Sequence, residues 1–268
     1  MKKDSILTVL GCRGSMAVSS EATAKYGGST SAFWLKAKGK HILFDAGTGI
    51  LKAELPHAEA HLLLSHVHID HILGIPFWTP LFSENNRIHI YSEPRCGMSI
   101  REQLANFLRP PYWPVGIDLF CGVREYHDIS AGESFSLGDG VIVRTLRANH
   151  PDTCTAFRVE WENHAVVYAL DYEHSADADK ALIAFAKNCD VLIYDNTYTP
   201  TEYEKKIGWG HSTWEEGLRI KKAAAVKTLL LSHHATDHTD ALLDDLQQKL
   251  TERNDQVFLA REGMEILL

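Results

Sequence analysis

Short apolar blocks recur along the chain, each closed by a polar or glycine-rich turn, and they read as buried strands. Ile6 to Leu10 is the first and runs into Gly11-Cys12-Arg13-Gly14-Ser15. Ser31 to Lys36 and His41 to Phe44 predict a hairpin across Ala37 to Lys40, closing on Asp45. Leu62-Leu63-Leu64 and Arg87 to Tyr91 are further strands, and Ser99 to Phe107 is a short helix. Ile72 to Phe82 is apolar but broken by Gly74, Pro76 and Pro80, so any helix there is short. Arg109 to Pro114 holds three prolines and cannot be regular structure. It serves as a core plug or a pocket wall, with Tyr112 and Trp113 free to stack on a flat group.

The second half repeats the plan. Val141 to Leu146 is a strand reaching His150-Pro151, and Thr155 to Trp161 with Ala165 to Leu170 predicts a second hairpin, closing on Asp171. Asp177 to Lys187, Ser212 to Val226 and Thr239 to Arg253 read as helices, the second with Ser212 as N-cap and Glu215 at capping-box spacing. Val191 to Tyr194, Thr228 to Leu231 and Gln256 to Leu259 are strands. An internal echo accompanies this: Leu62 to His71 (LLLSHVHIDH) and Leu229 to His238 (LLLSHHATDH) agree at seven of ten positions. The expected organisation is one unit over 1–268 with similar halves, about 1–135 and 136–268, packed sheet to sheet around one cleft.

The chemistry concentrates in Ser65-His66-Val67-His68-Ile69-Asp70-His71, where three imidazoles and a carboxylate occupy six residues after a strand. His66 and His68 are two apart, so an extended backbone aims both rings to one side. Asp70 and His71 follow one turn later and face a second point, which suits two metal ions. Counting donors assigns His66, His68 and His150 to one ion, and Asp70, His71 and His233 to the other, with Asp171 between them. His150, a loop residue before proline, is by itself more readily structural than a ligand. The echo with His66 favours His233 over its neighbour His234. Asp45 is either a turn carboxylate or the acceptor for a ligand imidazole. Nitrogen-rich donors favour two Zn²⁺, with Mn²⁺ or Fe²⁺ as alternatives.

Composition narrows the rest. The 268 residues carry 27 basic and 35 acidic side chains, a net charge of −8, with no basic stripe, which weighs against a long nucleic-acid partner. No run of 18 apolar residues spans a membrane, and Ile6 to Leu10 is too short for a signal-peptide core, so a cytoplasmic protein is expected. Five scattered cysteines without a C-x-x-C pair fit reduced thiols.

His66-x-His68-x-Asp70-His71, followed by His150, Asp171 and His233, resembles the metallo-β-lactamase fold superfamily across essentially the whole chain. The resemblance implies an α/β fold, an αββα sandwich of two similar halves. Gly210-His211-Ser212-Thr213 resembles the ribonuclease Z-like phosphodiesterase branch, which implies that His211 is no ligand but protonates the leaving oxygen. Asp195 stands where that branch carries the carboxylate partnering this histidine, while Tyr194 replaces an expected His. Trp209-Gly210-His211 and Tyr26-Gly27-Gly28-Ser29-Thr30 look closer to bacterial hydrolases of the cyclic-nucleotide phosphodiesterase type. No inserted basic arm is visible, so the expected substrate is a small phosphodiester, cleaved by a hydroxide that Asp70 helps to hold in line. A ribonuclease Z-like RNA-processing nuclease and an acyl hydrolase (lactonase or thioesterase) are the alternatives. A homodimer is expected from the resemblance alone.

Overall fold

A computed structural model describes residues 5–55, 57–252 and 256–268. The opening Met1 to Asp4 and the last residue of the expected final helix, Arg253, lie outside the described residues. The strands are β1 (Ile6–Gly11), β2 (Ala32–Ala37), β3 (Lys40–Phe44), β4 (Glu59–Leu63), β5 (Arg87–Ser92), β6 (Val123–Asp128) and β7 (Ser134–Gly138). The chain continues through β8 (Val141–Ala148), β9 (Cys154–Trp161), β10 (His164–Ala169), β11 (Val191–Asp195), β12 (Thr228–Ser232), β13 (Val257–Leu259) and β14 (Glu265–Leu267). Among the described residues they form two seven-stranded sheets, ordered β14-β1-β2-β3-β4-β5-β6 and β13-β12-β11-β10-β9-β8-β7.

Three apolar layers hold the sandwich. The middle one lies between the sheets and joins Phe33, Phe44 and Leu63 to Phe157, Tyr168 and Leu230. The outer two pack helices and short turns onto each sheet's far face. Leu63 faces the other sheet while Leu62 and Leu64 face helices, so β4 is apolar on both sides and reads as a continuous run rather than an alternation. Fully burying one such leucine contributes roughly 1.5–3 kcal/mol. The result is the expected αββα sandwich.

The two sheets repeat one topology, but the ten-residue echo does not mark equivalent strands. Each has three antiparallel pairings followed by three parallel ones, so β14 and β1 to β6 correspond to β7 and β8 to β13. Under that correspondence the hairpins match as expected, whereas β4, which carries the first copy of the echo, matches β11 and not β12. The C-terminal β14 crosses back to pair with β1, so the first sheet is completed by the end of the chain.

Most predicted elements appear within a residue or two. One cap differs: Thr213, not Ser212, caps Trp214–Ala224 by accepting from the Glu216 amide. Ser212 Oγ instead meets the Tyr194 hydroxyl at 2.7 Å and His174 Nδ1 at 2.9 Å. Strands β6, β7 and β14 and the turn of helix at Ile69–Ile72 were not anticipated. No described helix is long and apolar enough to cross a membrane.

Candidate metal centre

Parallel strands deliver their C-terminal ends to one edge of the sandwich, and the candidate residues follow those ends. His66 and His68 come after β4, Asp171 after β10, Asp195 ends β11, and His233 follows β12. His150 follows β8, and Asp70 and His71 lie on the single turn of helix Ile69–Ile72. Asp45, Asp171 and His233 all hold left-handed backbone, with φ of 56°, 52° and 67°. Such a conformation costs a non-glycine residue about 1–3 kcal/mol and persists only where surroundings impose it. At His233 the surroundings are close: a Cβ on Gly14 would lie 2.3 Å from its Nδ1.

The donors fall into two adjacent groups. His66, His68, His150 and Asp171 bring ligand atoms within 4.8 Å of one another, and so do Asp70, His71 and His233. Asp171 joins them: its Oδ2 lies 3.6 Å from Nε2 of both His66 and His150, while Oδ1 lies 2.9 Å from His71 Nε2 and 3.1 Å from His233 Nε2. Nε2 of His150 is 3.4 Å from Nδ1 of His68. Two donors bound tetrahedrally at 2.0–2.1 Å would be about 3.3 Å apart, so these spacings suit a shared ion.

The other ring nitrogens are already engaged, which fixes the tautomers. His71 donates from Nδ1 to Asp45 at 2.6 Å, and His150 from Nδ1 to the Gly210 carbonyl at 2.8 Å. His66 Nδ1 meets Ser65 Oγ at 3.0 Å, and Ser65 in turn donates to Asp45. His233 Nδ1 faces Thr197 Oγ1 at 2.9 Å. That leaves the inward Nε2 atoms of His66 and His71, with Asp171 Oδ1, buried without hydrogen-bond partners. Asp45 is thus an acceptor for the imidazole of the candidate ligand His71, and it also receives the Tyr168 hydroxyl at 2.5 Å. His234 turns away and meets the Ala260 carbonyl from Nε2 at 2.9 Å, so of the histidine pair only His233 faces the donors.

Charge points the same way. Asp45, Asp70, Asp171 and Asp195 are all buried here. Burial alone would raise the Asp171 carboxyl, but His233, His71 and His66 hold it well below the usual range. Burial opposes a charge on His71 as well, yet Asp171, Asp70 and Asp45 push its pKa well above an ordinary imidazole. A site that holds a proton this tightly calls for cations, and two divalent ions would offset the four carboxylates. The donor set therefore fits divalent metal.

Asp195 and His211 stand beside these groups. His211 Nδ1 lies 2.9 Å from Asp195 Oδ2, and its ring stacks on His233 with centroids 5.0 Å apart. Burial disfavours the imidazolium, but Asp195, together with Asp171 and Asp70, outweighs it and raises His211 to about 9. Asp195 also accepts from the amides of Asp171, Thr197 and Ser212, so it is fixed in place.

Residues not anticipated complete the frame. The Ser15 amide donates to Asp70 Oδ2 at 2.7 Å. The buried Arg13 ties the N-terminal turn to the loop after His233 through the carbonyls of Ala235 and His238. A cavity of about 560 Å³ opens beside His66 and His68, lined also by Arg95, Arg147, Met98 and Gln103. Tyr112 and Trp113 are not among its lining residues: Tyr112 is exposed, and Trp113 packs edge-on against Phe77. The proline-rich segment is therefore not the wall of this cavity.

Comparison with known proteins accords with this arrangement. Ribonuclease Z of Haloarcula marismortui is 22% identical over 88% of this chain and 90% of its own length. A probable metallo-hydrolase of Bacillus subtilis, YhfI, is 28% identical over 96% of this chain and 97% of its own. The YhfI crystal structure superposes with a TM-score of 0.74 over 99% of this chain and all of that one, at 23% identity. A diphosphatase from the PhnP family superposes with a TM-score of 0.72 at 18% identity, over the whole of this chain and 98% of that one. The beta-lactamase superfamily domain model matches residues 40–234, a span that contains all seven candidate ligands, and the chain belongs to that superfamily.

Proposed function

We propose that this metal-dependent hydrolase is a dinuclear phosphodiesterase acting on a small phosphodiester, such as a cyclic nucleotide, with His211 as general acid. The observation that carries the reading is the Asp195–His211 pair, an imidazole oriented by a buried carboxylate beside the candidate metal donors. An alkoxide leaves phosphorus poorly without a proton, whereas lactone or thioester hydrolysis has less need of one. The name of a similar protein, ribonuclease Z, also speaks of phosphodiester chemistry.

With two divalent ions bound, Zn²⁺ by preference and Mn²⁺ or Fe²⁺ as alternatives, the site gains Lewis acidity and a water of lowered pKa. The chain's own part is positional and protonic. His66, His68 and His150 hold one side, Asp70, His71 and His233 the other, and Asp171 spans them. Asp70, fixed by the Ser15 amide, also keeps the attacking oxygen in line. His211 passes its Nε2 proton to the departing oxygen, and Asp195 steadies the imidazolium beforehand. Acid help of this kind is worth roughly 10²- to 10⁴-fold in rate.

The second reading, a ribonuclease Z-like RNA 3′-processing nuclease, is favoured by similarity to ribonuclease Z along most of the chain. The net charge of −8 favours the smaller substrate. Metal-reconstituted protein should be assayed on cyclic nucleotides, bis(p-nitrophenyl) phosphate, lactones and precursor transfer RNA. Turnover of the small diesters is the expected result. Single-site RNA cleavage far more efficient than any of them would install the second reading, and lactone hydrolysis alone would install an acyl hydrolase.

A further inference from the structure

A second histidine cluster lies on the first sheet, on strands β4, β5 and β6. Alternation along β4 puts Glu59, His61 and Leu63 on the face turned toward the other sheet, where Leu63 joins the middle core. His89 pairs with His61 across β4 and β5, and Tyr91 pairs with His127 across β5 and β6. Three imidazoles and two carboxylates thus replace apolar residues where that face reaches the surface. By strand rise His61 is roughly 15 Å from His66.

Register makes the cluster. Ile88 pairs with Val123, but His89 pairs with Glu125, so β6 carries one extra residue, Arg124. In regular register His89 would face Arg124, and Glu125 would point to the opposite side of the sheet. The irregularity turns Glu125 onto the face of His89 and His127, on an edge strand where bulges commonly re-aim a side chain.

Distances then resemble those of the metal centre. His89 Nδ1 is 3.1 Å from His127 Nε2, which is 3.6 Å from Glu125 Oε2, and the three donors lie within 4.8 Å of one another. Donors on one tetrahedral ion stand about 3.3 Å apart. Behind them, Glu59 Oε1 faces Nε2 of His89 at 3.9 Å and Nε2 of His61 at 4.0 Å. A carboxylate behind the far nitrogen of a ligand imidazole is a usual outer support. His61 is 3% exposed, and its Nε2 is aimed into the cluster with no hydrogen-bond partner. Tyr91 stacks flat on His127, with centroids 4.2 Å apart, and fixes that ring. Burial lowers the pKa of His127, so the ring is neutral and able to ligate near pH 7.

We propose that His89, His127 and Glu125 form a separate binding site for a late first-row divalent cation, Zn²⁺ or Cu²⁺, that clamps the edge strand β6 to β5. Two imidazoles and one carboxylate suit either ion and leave a position open to water. The carboxylates of Glu59 and Glu125 also bring negative charge to offset it. A hydrogen bond between His89 and His127 alone would account for the shortest distance. It would not account for the re-aimed Glu125.

The test is a Cu²⁺ titration of untagged, zinc-loaded full-length protein, followed by electron paramagnetic resonance with zinc content measured in parallel. One equivalent of copper should bind with hyperfine splitting from two imidazole nitrogens. His127→Gln and the more conservative Glu125→Gln, at an exposed position, should each weaken that binding by about tenfold or more. Turnover should stay at the parental level. An undiminished two-nitrogen signal in both variants, or no copper bound more tightly than about 100 µM, would overturn the site. It stands independently of the proposed reaction.

Discussion

Asp195 receives the Nδ1 proton of His211 at 2.9 Å while the same carboxylate oxygen accepts the backbone amide of Asp171 at 3.1 Å. One buried group therefore links the proposed acid to the carboxylate that spans both sets of metal donors. Removing the acid should leave that frame standing. His211→Ala is expected to keep its metal and to lose roughly 10²- to 10⁴-fold in kcat on diesters with alkoxide leaving groups. The loss should shrink on p-nitrophenyl esters, whose leaving group departs unprotonated. Equal losses on both would assign His211 to binding or structure.

Asp195→Asn isolates the electrostatic half of the pair. Asp195, together with Asp171 and Asp70, raises His211 to about 9, so the imidazolium persists below that value and is lost as pH rises through it. The pair's contribution to stability has the same sign, complete below pH 6.5 and lost on the way to about 9. In Asp195→Asn the alkaline limb of the pH–rate profile should move to lower pH. Bound cations depress His211 in both proteins, so the shift between them is the quantity to read. Coincident alkaline limbs would detach Asp195 from the acid.

Asp171 is the one residue whose two oxygens face both donor groups. Protein prepared without chelator should carry about two transition-metal ions in this centre by elemental analysis. Asp171→Ala should lower that content and abolish turnover, and His68→Ala should deplete chiefly the His66–His150 side. Full occupancy with normal turnover in Asp171→Ala would remove it as the bridge.

Asp45 never needs to touch metal to matter. It takes hydrogen bonds from His71, the Ser65 amide and hydroxyl, and Tyr168, all buried. Asp45→Asn would weaken the acceptor that orients the His71 ring through Nδ1 and is expected to weaken metal affinity by about 10- to 100-fold, read by chelator competition. Tyr168→Phe deletes one hydrogen bond of that set and should cost less.

The sequence shows plainly what depends on neighbours along the chain. His66 to His71 announces itself because strand alternation and one helical turn fix where those side chains point. What stays hidden depends on partners far along the chain. Tyr168 meets Asp45 across 123 positions, and nothing local marks it. Ser212 looks as good a cap as Thr213 until Tyr194 and His174 claim its hydroxyl. Strands β6, β7 and β14 lie at sheet edges, where one side is solvated and the apolar signal is diluted by Arg, Glu and Ser. The LLLSH echo misleads for a related reason: β4 and β12 are both parallel strands buried on two faces, which converge on similar leucine runs in inequivalent places.

Substrate size gives the last prediction. The cavity beside His66 and His68 holds about 560 Å³, enough for a nucleotide-sized ligand, and its cationic side chains are Arg95 and Arg147. Both are committed: Arg95 binds the carbonyls of Ser65 and Asp152, and Arg147 pairs with Glu93. Two cations, one ion-paired and one tied to backbone carbonyls, offer few phosphate contacts to a long polyanion. A nuclease that neutralises several phosphates loses orders of magnitude in affinity between about 50 and 200 mM salt. A small diester held at the metal centre has no such extended contact to lose. The kcat/KM for small diesters should therefore change by only a few-fold over that range, with precursor transfer RNA a poor substrate. A steep fall with salt, together with efficient transfer-RNA cleavage, would mean that binding energy comes from a surface beyond this cavity.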